Sequence, residues 1–415
     1  MLLNKRRALA YLDQCGLDAV VATSPVNITY LTDYSCWLDP LLKGYMAEPG
    51  GNNELGANYA VFARDGEGGL VIRSAFATNV RACWVRRLRL GGPLMFDRSP
   101  LLESPPEAQD LRECWEMFTE RDCDESPDAG LAKLLEEMGL ANARLGVEME
   151  DLSVRRKSEL CETLKSCEVR DCSSLLRLIR MVKSDQELRL VARSAEINER
   201  SLMTGLKEAR AGMSALDLIR KYRIAIAASD ASLDHYAYSI DGLGLATQGD
   251  YTLRDGDVLF IDSGCIYEHQ FSDTGTTLFI GSAPDDMVAH FAALGEAVDA
   301  GQAAATVGAT ASSVHETMAS VIDGHGLAAP IHGHSLGLDV REYPMVLPKK
   351  GGRISDDCVD VDADVRLEPG MVFNIEAPLF LPPTGAFQLE KTFVMTDQGC
   401  KPLIEQDRTH PVICA

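Results

Sequence analysis

The pattern of apolar and polar positions divides the chain into two parts that differ in texture. In the first part, Arg6–Cys15 has the spacing of an amphipathic helix, and the apolar run Leu17–Thr23 predicts a buried strand. Tyr59–Ala63 and Leu70–Ile72 flank a glycine-rich turn and predict a β-hairpin. We therefore expect a mixed α/β domain over residues 1–175.

Helical periodicity opens the second part. Ser184–Glu187 has the pattern of a capping box, and apolar residues recur at helical spacing after it. We place the domain boundary just before this helix, so that the two predicted domains are residues 1–175 and 176–415. Three further helices are predicted. One begins at Ser214, the next has Pro284 at its first helical position, and the last spans Ser312–Ile322.

Aspartates stand on a predicted hairpin of the second domain. The apolar run Val258–Ile261 predicts a buried strand that leads into Asp262, and Asp273 precedes the next apolar run. If the turn centres near Tyr267 and Glu268, the two aspartates oppose each other across the hairpin and share one face.

A second predicted hairpin repeats this arrangement with glutamates. Val372–Glu376 and Phe387–Glu390 flank the turn signal Leu381–Gly385, so Glu376 and Glu390 should converge. Transfer of each carboxylate from water into the protein interior costs roughly several kcal/mol, even after the protein relaxes around it. Two divalent cations sharing a water molecule would neutralise the four carboxylates and create a nucleophile at neutral pH.

Composition excludes other classes of function. The chain has 415 residues, 46% apolar residues and a net charge of −22, which suits a globular protein and opposes binding to nucleic acid or anionic lipid. It lacks an apolar run long enough to span a membrane, and we expect no secretory signal. The twelve cysteines are scattered without a C-x-x-C motif, which favours free thiols and a cytoplasmic location.

The second domain carries motifs that resemble those of the pita-bread enzymes, a family that includes methionine aminopeptidase, aminopeptidase P, prolidase and the metal-free creatinase. Ile261–Gly264 is followed by Asp273 with the family's ten-residue interval between the two aspartates. Gly333–Val340 is similar to the histidine segment of aminopeptidase P. Pro369–Glu376, with Glu390 fourteen residues later, is similar to the family's two-glutamate hairpin.

This resemblance implies a dinuclear metal site. By carry-over, Asp262 would bind one ion, His334 and Glu376 the other, and Asp273 and Glu390 would bridge them. Oxygen ligands with a single imidazole favour manganese and leave iron, cobalt and zinc open. The implied reaction is hydrolysis of a C–N bond by a metal-bridging hydroxide, with Glu376 as proton shuttle.

The resemblance extends to the rest of the fold. Gly16–Tyr34 is similar to the opening of the N-terminal domain in the creatinase and prolidase branch, and Ile179–Leu202 is similar to that branch's entry into the catalytic domain. The implied fold is α+β: a pita-bread catalytic domain preceded by a creatinase/prolidase-type α/β N-terminal domain. Members of the branch suggest a homodimer, in which Trp37 and Tyr45 could reach a neighbouring subunit's site.

The sequence departs from the peptidase pattern near the site. The peptidases have a histidine in the region where this chain has Leu245–Gln248, and a second one where it has Arg341. Arginine cannot shuttle a proton but can hold a carboxylate or a developing anion, so we assign it a catalytic role in substrate binding. His332, two residues before the ligand histidine, is also expected to line the site and act in catalysis. His235 and His269 are interpreted as structural or surface residues.

Three functions remain open at this stage. The favoured one is a cytoplasmic hydrolase of the Xaa-Pro aminopeptidase or prolidase kind, acting on small peptides or amides. The second is a metal-dependent hydrolase or lyase acting on a small non-peptide substrate, which the loss of the two histidines would suit. The third is a catalytically silent binding module, which has no need for four converging carboxylates.

Overall fold

The chain forms two compact units. The first comprises Met1–Arg180 with Ile354–Val361, and the second comprises Met181–Arg353 with Asp362–Ala415. A domain boundary at residue 175 stays a prediction. The computed structural model describes residues 1–36, 38, 57–94, 96–102, 105–119, 121, 123–406 and 410–414, so Trp37 and Tyr45 lie outside the described part of the chain.

A mixed sheet forms the centre of the first unit, with strand order β5-β4-β3-β2-β1-β6-β7. The predicted hairpin is confirmed as antiparallel pairing between β2 and β3. The strands are β1 Ala19–Ala22, β2 Tyr59–Ala63, β3 Gly68–Arg73, β4 Arg87–Gly91, β5 Cys123–Asp124, β6 Arg144–Val147 and β7 Glu168–Asp171. The helices are α1 Lys5–Cys15, α2 Pro25–Thr32, α3 Gln109–Thr119, α4 Pro127–Glu137, α5 Val154–Thr163 and α6 Ser173–Arg180, with 3₁₀ turns at Ser74–Ala82 and Ser99–Leu102.

Glu148 connects the end of β6 to the start of α2. Its carboxylate is buried and accepts hydrogen bonds from the backbone N–H groups of Thr23 (2.8 Å) and Ser24 (2.9 Å). It also accepts one from the side-chain amide of Asn27 at 2.6 Å. A negative charge at a helix N-terminus is favourable, so this carboxylate both caps α2 and fixes it to the sheet.

Replacing Glu148 with alanine is expected to destabilise the first unit by about 2–3 kcal/mol, because buried donors lose their acceptor. All three tryptophans of the sequence precede residue 116, so tryptophan fluorescence during urea denaturation follows this unit. Glu136→Ala, at an exposed position of α4, is the matched control. An unfolding midpoint of Glu148→Ala equal to that of the control would contradict this role.

Helices cover one face of the main sheet in the second unit. The predicted capping box at Ser184 and Glu187 is confirmed at the start of the long helix. Pro284 was expected at the first helical position, but its backbone is still extended (ψ 144°) and it forms the N-cap instead. The helices are α7 Asp185–Leu206, α8 Ala215–Ala227, α9 Asp285–Ala304 and α10 Ala311–Gly324.

The main sheet of this unit has strand order β21-β11-β10-β8-β9. Tyr238, Ile261 and Leu278 alternate to one face and pack with α7 and α8 in a common core. The strands of the unit are β8 Ser232–Ser239, β9 Leu245–Ala246, β10 Val258–Tyr267, β11 Gln270–Ile280, β12 Gly333–Ser335, β13 Glu342–Val346, β16 Val372–Glu376, β17 Leu379–Leu381, β18 Gly385–Phe387, β19 Glu390–Thr396, β20 Gly399–Pro402 and β21 Val412–Cys414. The paired strands β14 Arg353–Ser355 and β15 Asp360–Asp362 belong mainly to the first unit.

The first carboxylate hairpin has a different register from the predicted one. The turn centres on Glu268 and His269, both with positive φ (46° and 67°), as a two-residue turn of the type I′ class requires. Asp262 therefore opposes Gly275, and Asp273 opposes Gly264. The two aspartates are diagonal neighbours rather than direct partners, but they remain on the same face of the sheet.

The second carboxylate hairpin has the predicted register. Glu376 on β16 directly opposes Glu390 on β19. β17 and β18 continue the hairpin towards its turn. A pair of hydrogen bonds between the side-chain oxygen of Thr277 and the backbone of Gln388 ties this hairpin to the main sheet, each at 3.0 Å. The glutamates are thereby held opposite the face that carries the aspartates.

The cysteines and the helices each bear on a prediction made from composition. The twelve cysteines are all free thiols, as predicted. No helix in the described part of the chain is both long and apolar enough to cross a membrane.

Candidate metal centre

The predicted ligands come together from three separate pieces of the second unit. Asp262 and Asp273 come from the β10–β11 hairpin, His334 from β12, and Glu376 and Glu390 from the β16–β19 pair. Every one of them lies on a strand, so the sheets rather than loops determine their positions.

His334 is fixed by hydrogen bonds to Asn374 and Ser335. Its backbone N–H donates to the Asn374 side-chain oxygen at 2.7 Å, and its Nδ1 lies 3.0 Å from the Ser335 carbonyl oxygen. Nδ1 therefore carries the proton, and the Nε2 lone pair lies 3.2 Å from the Asn374 side-chain amide and 3.5 Å from the carboxylates of Asp273 and Glu376. Gly333 permits this close approach, because a Cβ there would lie 2.3 Å from the Asn374 carbonyl oxygen.

Asp273 lies between two imidazole rings. Its Oδ2 is 3.5 Å from His334 Nε2, and its Oδ1 is 3.2 Å from Nε2 of His235. His334 Nε2 is also 3.5 Å from Glu376 Oε1. One carboxylate thus presents its two oxygens to two different positions, which is the arrangement expected of a bridging ligand.

Glu390 is the most deeply buried of the carboxylates. Its side chain is fully buried, and its Oε1 accepts a hydrogen bond from the Asn374 side-chain amide at 2.6 Å. Its Oε2 has no hydrogen-bond partner among the described residues. Burial, followed by the charges of Asp273, Glu376 and Asp262, raises the pKa of Glu390 well above its usual range.

His332 contacts the same carboxylate as the ligand histidine. Its Nε2 is 3.1 Å from Glu376 Oε1, and its Nδ1 is 2.8 Å from the Pro330 carbonyl oxygen. Burial opposes protonation of the ring, but Glu376 outweighs it and the pKa of His332 is raised. The structure therefore places His332 against Glu376, and its role in catalysis stays a prediction.

Arg341 lies at the border of the site. Its side chain is exposed, and the neighbouring Glu342 is paired with the buried ammonium group of Lys183. Burial lowers the pKa of His334, and the positive charge of Arg341 adds to this effect. The guanidinium is thus close enough to act on the site electrostatically while its donors face solvent.

His235 lies in the candidate site, where the sequence analysis did not place it. It was assigned a structural or surface role, yet its Nε2 is 3.3 Å from Asp262 Oδ1, and with Asp262 and Asp273 it forms a group able to hold a cation. Burial opposes protonation of the ring, but the carboxylates of Asp234, Asp262 and Asp273 outweigh it and raise its pKa. His269, by contrast, is exposed at the hairpin turn.

The arrangement fits divalent cations. In the described part of the chain, one oxygen each of Asp273, Glu376 and Glu390 is buried without a hydrogen bond of good geometry. Donor atoms bound to one ion at about 2.1 Å lie roughly 3.0–3.5 Å apart, which matches the separations around Asp273. Buried carboxylates that repel one another and lack donors are stabilised by a cation.

A comparison with known families decides the identity. The model of metallopeptidase family M24 matches residues 189–397, about half of the chain. The chain belongs to metallopeptidase family M24. The match contains all five predicted ligands.

Individual M24 relatives are distant in sequence. An Xaa-Pro dipeptidase of Pyrococcus horikoshii is 24% identical over 249 residues, which cover 58% of this chain and 67% of the relative. An uncharacterized peptidase of Bacillus subtilis is 23% identical over 62% of this chain and 71% of that relative. These relatives and the family support a peptidase function.

Solved structures match over the whole chain. A dipeptidase from Pyrococcus horikoshii has a TM-score of 0.70 at 19% identity and covers 99% of both chains. A prolidase from Pyrococcus furiosus has a TM-score of 0.66 at 18% identity, over 96% of this chain and 99% of the other. At such identities these structures establish the fold alone.

The comparisons confirm the predicted family and the predicted α+β fold, with its N-terminal α/β domain and pita-bread domain. They also confirm that this M24 member is a metal-dependent hydrolase, since the family uses divalent metals. Manganese as the metal, the homodimer and a cytoplasmic location stay predictions.

Proposed function

We propose that this protein is a dinuclear Xaa-Pro peptidase of the prolidase or aminopeptidase P kind. The observation that carries the proposal is the position of Asp273, whose two carboxylate oxygens face different imidazoles at 3.2 and 3.5 Å. Two ions held by Asp262, Asp273, His334, Glu376 and Glu390 would account for all four converging carboxylates. The names of the relatives supply the Xaa-Pro substrate class.

Bound ions would supply an acidified water nucleophile and would polarise the scissile carbonyl group. The protein's own residues do the rest. Glu376 contacts the half-buried His332, so it would accept a proton from the attacking water and pass it to the leaving nitrogen. His332 holds the carboxylate of Glu376 in place. It would also stabilise the anionic form of Glu376 once the proton has passed to the leaving nitrogen.

Substrate would enter from the side on which Asp262 and His332 are exposed. The side chains of Asp262 and His332 are 20% and 26% exposed, whereas that of His334 is fully buried. Arg341 is exposed and adds positive charge near His332 and His334. Its guanidinium can bind the carboxylate of a dipeptide, which prolidase chemistry must recognise.

The test is release of amino acids from Xaa-Pro dipeptides and Xaa-Pro-Xaa tripeptides by manganese-reconstituted protein, with Asp262→Ala as the blank. Release above the blank supports the peptidase. Dipeptide cleavage without tripeptide cleavage would indicate a prolidase, and the reverse an aminopeptidase. No release from protein that retains its metal would contradict peptide hydrolysis.

The second candidate is hydrolysis of a C–N bond in a small acidic non-peptide compound. It is favoured by the absence of a histidine from Leu245–Gln248, where the peptidases have one, and by Arg341 at the other changed position. Metal binding without peptide cleavage would shift the assignment to this reaction. A screen of small amides and cyclic amidines that carry a carboxylate would then identify the substrate.

Arg341→Ala is expected to raise KM about 10-fold or more for a dipeptide, because a charge-assisted hydrogen bond contributes about 1.5–3 kcal/mol. Metal content should not change, since the guanidinium is not a ligand. Arg193→Ala, at an exposed position of α7 paired with Glu196, is the control. An unchanged KM, or loss of metal, would contradict a role in substrate binding.

A further inference from the structure

A β-bulge brings His235 and its neighbour Asp234 to the metal centre together. Gly264 on β10 opposes His235 on β8, but the next residue, Cys265, opposes Leu233. Asp234 is therefore the extra residue of the bulge and does not alternate to the opposite face. Its Oδ2 consequently lies 2.7 Å from Nδ1 of His235.

Gly264 provides the space that the imidazole ring occupies. Asp273 on β11 and His235 on β8 both oppose this glycine, from its two sides. A Cβ at Gly264 would lie 2.5 Å from Cε1 of His235, so any side chain here would displace the ring. The ring instead lies across the glycine and reaches both aspartates of the site.

The contacts of Nε2 have the spacing of neighbouring ligands. His235 Nε2 is 3.3 Å from Asp262 Oδ1 and 3.2 Å from Asp273 Oδ1. Asp273 Oδ1 is buried and accepts no hydrogen bond of good geometry from any described residue, despite the short distance to this nitrogen. These three atoms, one nitrogen and two carboxylate oxygens, are close enough together for a single cation to bind all of them.

Asp234 determines which nitrogen of the ring is available. When Nδ1–H donates to the Asp234 carboxylate, Nε2 has a free lone pair directed at the two aspartates. A carboxylate–histidine–metal arrangement of this kind orients the ring and increases the basicity of the ligating nitrogen. The same division of roles is seen at His334, whose Nδ1 contacts a backbone carbonyl.

We propose that His235 supplies an imidazole ligand to the ion bound by Asp262 and Asp273, and that Asp234 holds it in the ligating tautomer. The proposal deepens the dinuclear function proposed above and rests on it. The ligand set implied by the family resemblance gives the ion at Asp262 only carboxylate oxygens. An added imidazole shifts its preference from manganese towards cobalt, iron or zinc, which bind nitrogen more strongly.

The direct test is X-ray absorption spectroscopy of the full-length protein loaded with two equivalents of cobalt or zinc. With His235 and His334 both bound, imidazole scattering corresponds on average to one ring per ion. With His334 alone, it corresponds to half a ring per ion. His235→Asn should lower the wild-type value to one half, whereas His269→Asn, at the exposed turn of the neighbouring hairpin, should leave it unchanged.

Metal affinity gives a second readout that does not depend on activity. Titration of demetallated protein with cobalt, followed by visible absorption, should show one site weakened about 100-fold or more in His235→Asn. Asp234→Ala retains the imidazole and should weaken the same site by about 10–100-fold, as loss of a supporting partner does. Circular dichroism establishes that each variant is folded.

The outcomes separate this inference from the proposed function. Two ions bound by wild type with half a ring per ion, and unchanged affinities in His235→Asn, would overturn the role of His235 and leave the dinuclear peptidase intact. Failure of the wild type to bind two ions would overturn both. A variant with a weakened site and reduced imidazole scattering would support the ligand assignment.

Discussion

Asp262→Ala is expected to remove metal binding and peptide hydrolysis together. The substitution deletes a carboxylate that lies 3.3 Å from His235 Nε2 and diagonally across the hairpin from Asp273. Metal ions contribute several kcal/mol of transition-state stabilisation, and each 1.4 kcal/mol corresponds to tenfold in rate, so kcat/KM should fall at least about 10³-fold. Elemental analysis after dialysis and steady-state kinetics measure the two effects.

The control is Asp323→Ala, which replaces an exposed aspartate near the end of α10 in the same unit. It should retain wild-type metal content and activity. Full activity in Asp262→Ala, or in wild-type protein freed of metal by a chelator, would contradict the metal centre. Loss of activity with full metal retention would instead assign Asp262 to substrate binding.

Glu390→Gln is expected to change stability in opposite directions with and without metal. In metal-free protein the substitution replaces a fully buried carboxyl group, repelled by Asp273 and Glu376, with a neutral amide, and should stabilise by about 1 kcal/mol. In metal-loaded protein it removes a ligand charge. Saturating metal at about 1,000 times Kd contributes about 4 kcal/mol to wild type, and much of this should be lost.

Differential scanning calorimetry with chelator and then with excess manganese measures both effects on the metal-sensitive transition. Glu316→Gln, at an exposed position of α10, is the control and should shift neither melting temperature. A lower melting temperature of metal-free Glu390→Gln relative to metal-free wild type would show that the carboxylate is satisfied without an ion.

The parts of the site that were predictable from sequence are those fixed by short-range rules. Glu376 and Glu390 flank a turn whose length determines the pairing, so their direct opposition follows from counting residues. The same counting correctly places Asp262 and Asp273 on one face of the sheet. It wrongly pairs them with each other, whereas the observed partners are Gly275 and Gly264. A polar turn without glycine gives no signal for its centre, and Glu268 and His269 adopt positive φ against their usual preference.

His235 could not be found by counting alone. Tyr236 and Tyr238 face the core, which predicts that His235 lies on the opposite face of β8. The bulge at Asp234, however, interrupts the alternation of side chains immediately before His235. Pairing of β8 with β10 is a long-range contact for which the sequence has no local signal. The hydrogen bonds of Asn374 to His334 and Glu390 were missed for the same reason.

The tight turn at Glu268 and His269 has a consequence for how this protein can vary. Because the turn has two residues, the spacing of the aspartates is encoded in chain length as much as in side-chain identity. Inserting one residue there would exchange the faces of every later position of β11 and turn Asp273 away from the site. Natural length variation should therefore be absent from this turn even where its residue types change freely.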